Sequence, residues 1–312
     1  MKITLVLLLC LSFLISCQSV SSFSRKKQQE ALEAWENGQK EDAISLMSEA
    51  IKHSPEFYDA RIQLGNFHQE SKNYSQAIDT FEKAIAKAPE KPAAFLGAGK
   101  TYLKMAKMKE DGDEAEKIYR KGQHNFSQVL DLQEINEDDR FHAVLGKGIC
   151  LLERTLTEDS RRFLEQALKW QPDNLEVRFY NARLHEIGIG PNKKSLDQYN
   201  KILAKKPDHL DALLCMGDMF VKINNTENAI YYYQTFIDKG GASRRVKEWL
   251  SANVRKPVET EVSAVESVPV KKIAPPSRVK TCVECGRLAK QDDTVCPFDG
   301  GDLVIQDDPH VE

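Results

Sequence analysis

Residues 58–91 read YDARIQLGNFHQESKNYSQAIDTFEKAIAKAPEK, and their spacing decides the fold. Leu64-Gly65, Tyr74, Ala77, Phe81, Ala84 and Pro89 stand at the offsets of a unit of two paired helices. Small residues at Gly65, Ala77 and Ala84 let the helices approach closely, and Phe81 fills the gap between them. Pro89 stops the second helix, because proline lacks the N–H that a helix interior needs. A unit this small cannot bury its apolar face alone, so copies are expected on either side.

The pattern resembles the tetratricopeptide repeat: leucine-glycine on the first helix, then alanine, phenylalanine and a closing proline. One period upstream, Ala43, Met47, Ala50 and Pro55 reproduce the second helix, so 24–57 is a copy with a degenerate first helix. Segment 92–136 opens with Phe95, Gly99 and Tyr102. Its second helix, marked by Phe126 and Val129, comes late. The surplus polar run Lys104 to Lys121 predicts two lengthened helices turning at Asp111-Gly112-Asp113. Segment 141–174 carries Gly148, Leu164, Ala167 and Pro172, and 175–209 carries Ala182, Tyr199 and Pro207 with a turn at Gly188 to Pro191. Segment 210–243 carries Met216-Gly217, Phe220, Ala229, Tyr233 and Phe236. Six copies exceed the roughly three that a self-supporting stack requires. The expected fold over 24–243 is all-α, a right-handed solenoid. Residues 244–255 are expected to cap it, with Val246, Trp249 and Leu250 on one face. The competing arrangement is a single helical bundle, but three prolines (Pro55, Pro89 and Pro172) closing one common frame argue against it.

The 312 residues accommodate such a solenoid and a small second module. With 29% charged residues and a net charge of −3, nothing favours a nucleic-acid partner. The N-terminus, MKITLVLLLCLSFLISC, has a charged start and an apolar run too short to span a bilayer comfortably. Leu14-Ile15-Ser16-Cys17 resembles the bacterial lipobox. That resemblance implies removal of 1–16 and acylation of Cys17, whose diacylglycerol and acyl chains would hold the body at a membrane. Ser19 to Ser24 would continue 17–23 as a tether. Gln18, where some lipoproteins carry aspartate, implies the periplasmic face of the outer membrane. A plain cleaved signal is one alternative. An uncleaved anchor is another, since Arg25-Lys26-Lys27 would keep the body cytoplasmic.

In tetratricopeptide proteins the first helix of each pair lines a concave surface. The resemblance places Ile62, Leu96, Leu145, Phe179 and Leu214 on it, beside Asn66, Lys100, Lys104, Arg183, Asp218 and Lys222. An apolar floor with scattered charge suits a protein segment, extended or helical, better than a highly charged ligand, and no small-molecule substrate is expected. The alternative for each apolar residue is packing against the next pair. Gly97-Ala98-Gly99-Lys100-Thr101 imitates a phosphate loop but falls inside a predicted helix, and His185-Glu186 lacks a second histidine. Cys150 and Cys215 sit at apolar helix positions, where a thiol packs as a small hydrophobe.

Residues 256–280 hold Pro257, Pro269, Pro275 and Pro276 and show no helical period, which predicts an extended tether. Fully stretched it reaches on the order of 80 Å. Residues 281–305 follow, and 306–312 form a tail. Cys282-x-x-Cys285-Gly286 and Cys296-Pro297-Phe298-Asp299-Gly300 resemble the two knuckles of a zinc ribbon, with Asp299 where a fourth cysteine would stand. Zinc on Cys282, Cys285, Cys296 and Asp299 is the implied set, with His310 or water as the other options for the last place. A disulfide between Cys282 and Cys285, or an unstructured tail, are the alternatives. An open fourth position on zinc would suit a catalyst, yet so small a segment offers no cleft around Glu284, Asp292 and Asp293. The sequence as a whole predicts a non-enzymatic, membrane-tethered interaction scaffold, implicated by family analogy in envelope assembly, secretion or pilus biogenesis. An anchored cytoplasmic regulator is the competing expectation.

Overall fold

The computed structural model describes residues 20–254, 278–283, 285, 287–290, 293, 295–296 and 301–307. Segment 1–16, Cys17, residues 256–277 of the expected tether, Asp299 and His310 lie outside them. The described residues form thirteen α-helices and one two-stranded sheet, and the chain divides into units Met1–Leu156 and Thr157–Glu312. The fold class is all-α with a small β module.

In the first unit, α1 (Ser22–Glu36) and α2 (Lys40–His53) make one antiparallel pair, and α3 (Tyr58–Glu70) and α4 (Tyr74–Lys87) the next. They are followed by α5 (Pro92–Ala106), α6 (Gly112–Asp131) and α7 (Glu137–Glu153). The turns inside pairs are short because one residue takes the left-handed conformation. Gly38 does so at φ +79 without strain, and Lys72 does so at φ 63.

The stack propagates through aromatic rings lodged against glycines. Phe81 on α4 is fully buried, and a Cβ added at Gly65 on α3 would stand 2.5 Å from its ring. A Cβ at Gly97 on α5 would stand 2.4 Å from the same ring. One side chain therefore spaces the first helix of its own pair and that of the following pair. Phe126 on α6 does the same between Gly99 and Gly146, where an added Cβ would come within 2.8 and 2.3 Å.

Three expectations change. Residues 20–24 are not a polar tether: Ser21 caps α1 by accepting the Ser24 N–H, and buried Ser24 donates to Ser54 Oγ at 2.9 Å. In 92–136 only the second helix is lengthened, to 20 residues; α5 stops at Ala106. Gly112 lies in the first turn of α6, because the Asp111 carboxylate accepts the N–H groups of Asp113 and Glu114 and starts the helix there. The turn expected from Gly188 begins instead at Gly190, whose φ of +76 ends the helix.

The second unit holds α8 (Thr157–Trp170), α9 (Leu175–Ile189), α10 (Lys193–Lys205), α11 (Leu210–Lys222), α12 (Thr226–Asp238) and α13 (Arg244–Asn253). Its core gathers Tyr199, Met216, Met219, Phe220 and Tyr233. Val246 of α13 is buried in that core, with Trp249 and Leu250 packed beside it. Strand β1 (Arg278–Cys282) pairs antiparallel with β2 (Leu303–Asp307), Cys282 opposite Leu303.

Candidate functional site

On the first-helix faces of the first unit, Asn66, Lys100 and Lys104 are exposed and Ile62 is half-buried. Leu96 and Leu145 are only 6% and 3% exposed, so the expected apolar floor is corrected at both positions: they pack inside the protein. A polar chain occupies this face instead. Gln69, one helical step beyond Asn66, donates to Thr101 Oγ1 at 2.6 Å and Gly97 O at 3.3 Å. Its carbonyl oxygen accepts from Lys104 Nζ at 2.8 Å, and Gln28 donates to Gln63 at 2.8 Å. These amides tie successive pairs together, and Gln69 was missed as a site residue. Its spacing of seven from Ile62, two helical turns along one face, would have found it.

In the second unit Phe179 and Leu214 are half-buried, as are Arg183 and Asp218, while Lys222 is exposed. Phe179 stacks on His209 with ring centroids 5.8 Å apart. Asp218 accepts the Tyr233 hydroxyl and pairs with Arg245 of α13 at 2.8 Å. Burial, then the Asp218 carboxylate, pushes the Tyr233 hydroxyl up to about 12. Lys222 pairs with Glu186 at 2.6 Å, and Glu186 also accepts the Tyr199 hydroxyl at 3.3 Å. A ligand on this face therefore joins or replaces existing ion pairs. Burial holds the thiols of Cys150 and Cys215 protonated, the latter pushed up to about 12, so neither supplies a thiolate nucleophile at neutral pH.

The carboxy-terminal module brings three cysteines together. The sulfurs of Cys282, Cys285 and Cys296 all lie within 4.8 Å of one another, with Cys285 and Cys296 at 3.6 Å. Thiolates about 2.3 Å from a tetrahedral zinc stand roughly 3.8 Å apart, so the donor set fits that ion. The backbone prepares it. The Cys285 N–H points at Cys282 Sγ at 3.5 Å, and the Cys296 N–H donates to Gly301 O at 2.9 Å. Cys282 and Cys296 are each 2% exposed, leaving Cys285 on the accessible side. Asp299, the expected fourth ligand, falls outside the described residues.

Paired helices with glycines against aromatic rings, repeated along both units, have a counterpart among known families. Residues 34–91 match the tetratricopeptide repeat. The solved structure of PilW, a widely conserved type IV pilus biogenesis factor, superposes with a TM-score of 0.57 at 18% identity. That match covers 74% of this chain and 99% of PilW. The structure of Pseudomonas aeruginosa pilF gives 0.56 at 15% identity, covering 73% of this chain and 97% of that one. At such identities the likeness is one of fold. No curated protein matches the sequence. Among the described residues no helix is long and apolar enough to cross a membrane.

Proposed function

We propose that the chain is a non-enzymatic scaffold, tethered to the bacterial envelope by lipid on Cys17, whose tetratricopeptide faces bind a segment of a partner protein. The observation that carries this is the first-helix face itself. It combines exposed Asn66, Lys100 and Lys104 with half-buried Ile62 in one unit. Phe179, Arg183 and Leu214 lie partly open beside Asp218 and Lys222 in the other. Such a surface meets main-chain amides and mixed side chains of a partner segment. The three thiolates serve a structural zinc, with Asp299 as its fourth ligand.

The periplasmic face of the outer membrane is the proposed location, with pilus biogenesis, secretion or envelope assembly as the process. The fold shared with PilW supports the first of these no further than fold likeness goes. Two measurements test the reading. Acyl labelling in cells should depend on Cys17 and vanish in Cys17→Ala. Capture from detergent-solubilised membranes should recover a partner that is lost when Asn66, Lys100 and Lys104 are changed together to alanine. Recovery of nothing above that triple variant would end the scaffold reading.

A further inference from the structure

The carboxy-terminal module touches one turn of the helical part. Leu288 donates its N–H to Pro191 O at 2.9 Å, and Arg287 bridges antiparallel to Asn192. On the opposite edge the Cys282 N–H donates to Arg287 O at 2.9 Å and the Ala289 N–H to Lys280 O at 3.0 Å. The short segment 287–289 is thus paired on both sides, with β1 and with the α9–α10 turn. Its Leu288 side chain is 3% exposed and belongs to the same apolar cluster as Tyr199 and Ile202.

The receiving edge is rigid. Asn192 is 1% exposed, and its side chain accepts the Ser195 N–H while donating to His185 O and Gly190 O. The arriving segment is held within the module by its pairing with β1, which ends at Cys282 of the cysteine cluster. Leu288 is three positions beyond Cys285, so the turn that gathers Cys282 and Cys285 sets where it lies. Among the described residues of the module the buried apolar ones are Leu288, Ala289 and two of the clustered cysteines, and a module of this size relies on a metal to hold its fold.

We propose that the cysteine cluster is a metal-dependent clasp whose partner is the chain's own helical part. With the metal bound, segment 287–289 is held as an added strand on Pro191–Asn192, and Leu288 closes the apolar cluster of the second unit. With the metal removed, the segment comes away, leaving that cluster and a strand edge open. Residues 254–277 join α13 to β1 covalently, so the contact is intramolecular and a small one suffices. The clasp does not depend on what the first-helix faces bind; either idea can fail without the other.

Hydrogen exchange by mass spectrometry on the full chain tests it. Loading one equivalent of zinc should slow exchange of amides in 186–196 about tenfold or more relative to the chelated chain. Leu288→Asp should keep its zinc by metal analysis yet exchange at 186–196 like the chelated chain. A measurement without substitutions runs in parallel: cobalt in place of zinc should broaden the amide resonances of Gly190 and Asn192. Equal exchange in all three samples, absence of that broadening, or a chain that takes up no metal overturns the proposal.

Discussion

Phe81 offers the sharpest test of how the repeats hold together. Its ring is fully buried between two glycine faces, Gly65 of its own pair and Gly97 of the next. Truncation to alanine removes the ring and leaves a cavity that two rigid helices close poorly, a loss of about 3–5 kcal/mol. Gly65→Ala alone places a methyl 2.5 Å from the ring. That overpacking costs about 1–3 kcal/mol, offset by the ~1 kcal/mol that alanine gains over glycine inside a helix. In the Phe81→Ala background the clash disappears, and Gly65→Ala becomes stabilising by roughly 1 kcal/mol. The cycle should therefore show a coupling of about 1–3 kcal/mol. Trp35 reports on the first unit, because it stacks on Phe67 with centroids 4.1 Å apart. Replacing Trp170 and Trp249 with phenylalanine makes its fluorescence the sole indole signal during urea unfolding, since the chain has three tryptophans. Additive effects, within about 0.5 kcal/mol, would refute the view that one ring spaces two helices.

Two further outcomes follow from the geometry. Burial lowers the His68 imidazole below its ordinary value of 6.5, and its Nδ1 is buried without a hydrogen-bond partner. The unfolded chain then binds more protons than the folded one as pH falls below 6.5, so the first unit should lose stability from pH 7 to pH 5. His68→Gln should flatten that slope in thermal melts followed through Trp35; an unchanged slope would place the titration elsewhere. At the other end of the chain, cobalt titration should show thiolate charge-transfer bands saturating at one equivalent. Changing Cys282, Cys285 or Cys296 to serine should weaken the bands, whereas Asp299→Ala should leave them in place and lower affinity. Bands that survive all three cysteine changes would rule out the cluster as the metal site.

Much of the fold was legible because helix pairing is a local matter. The offsets of Gly65, Phe81 and Pro89 encode which faces meet within a single pair, and the structure carries the same contact to Gly97 in the next. Cys282, Cys285 and Cys296 were legible as a group because two of them share one turn. The candidate binding faces were less so. Periodicity placed Leu96 and Leu145 on the correct helices, but it could not tell a residue facing the open surface from one facing the neighbouring helix. The pairing of Asp218 with Arg245 was equally hidden, since its two halves lie on separate helices and nothing in either helix alone selects the other.

By itself the sequence determined the repeating helix pair, because small residues and an aromatic at fixed spacing admit few other packings. It also marked out the three cysteines that the structure brings together. Only the tertiary structure decided that Gln69 and Lys104 bridge consecutive pairs, and that Leu288 seats against Pro191–Asn192. Those contacts join segments far apart along the chain, and their existence depends on the distances and angles at which already-formed elements come to rest.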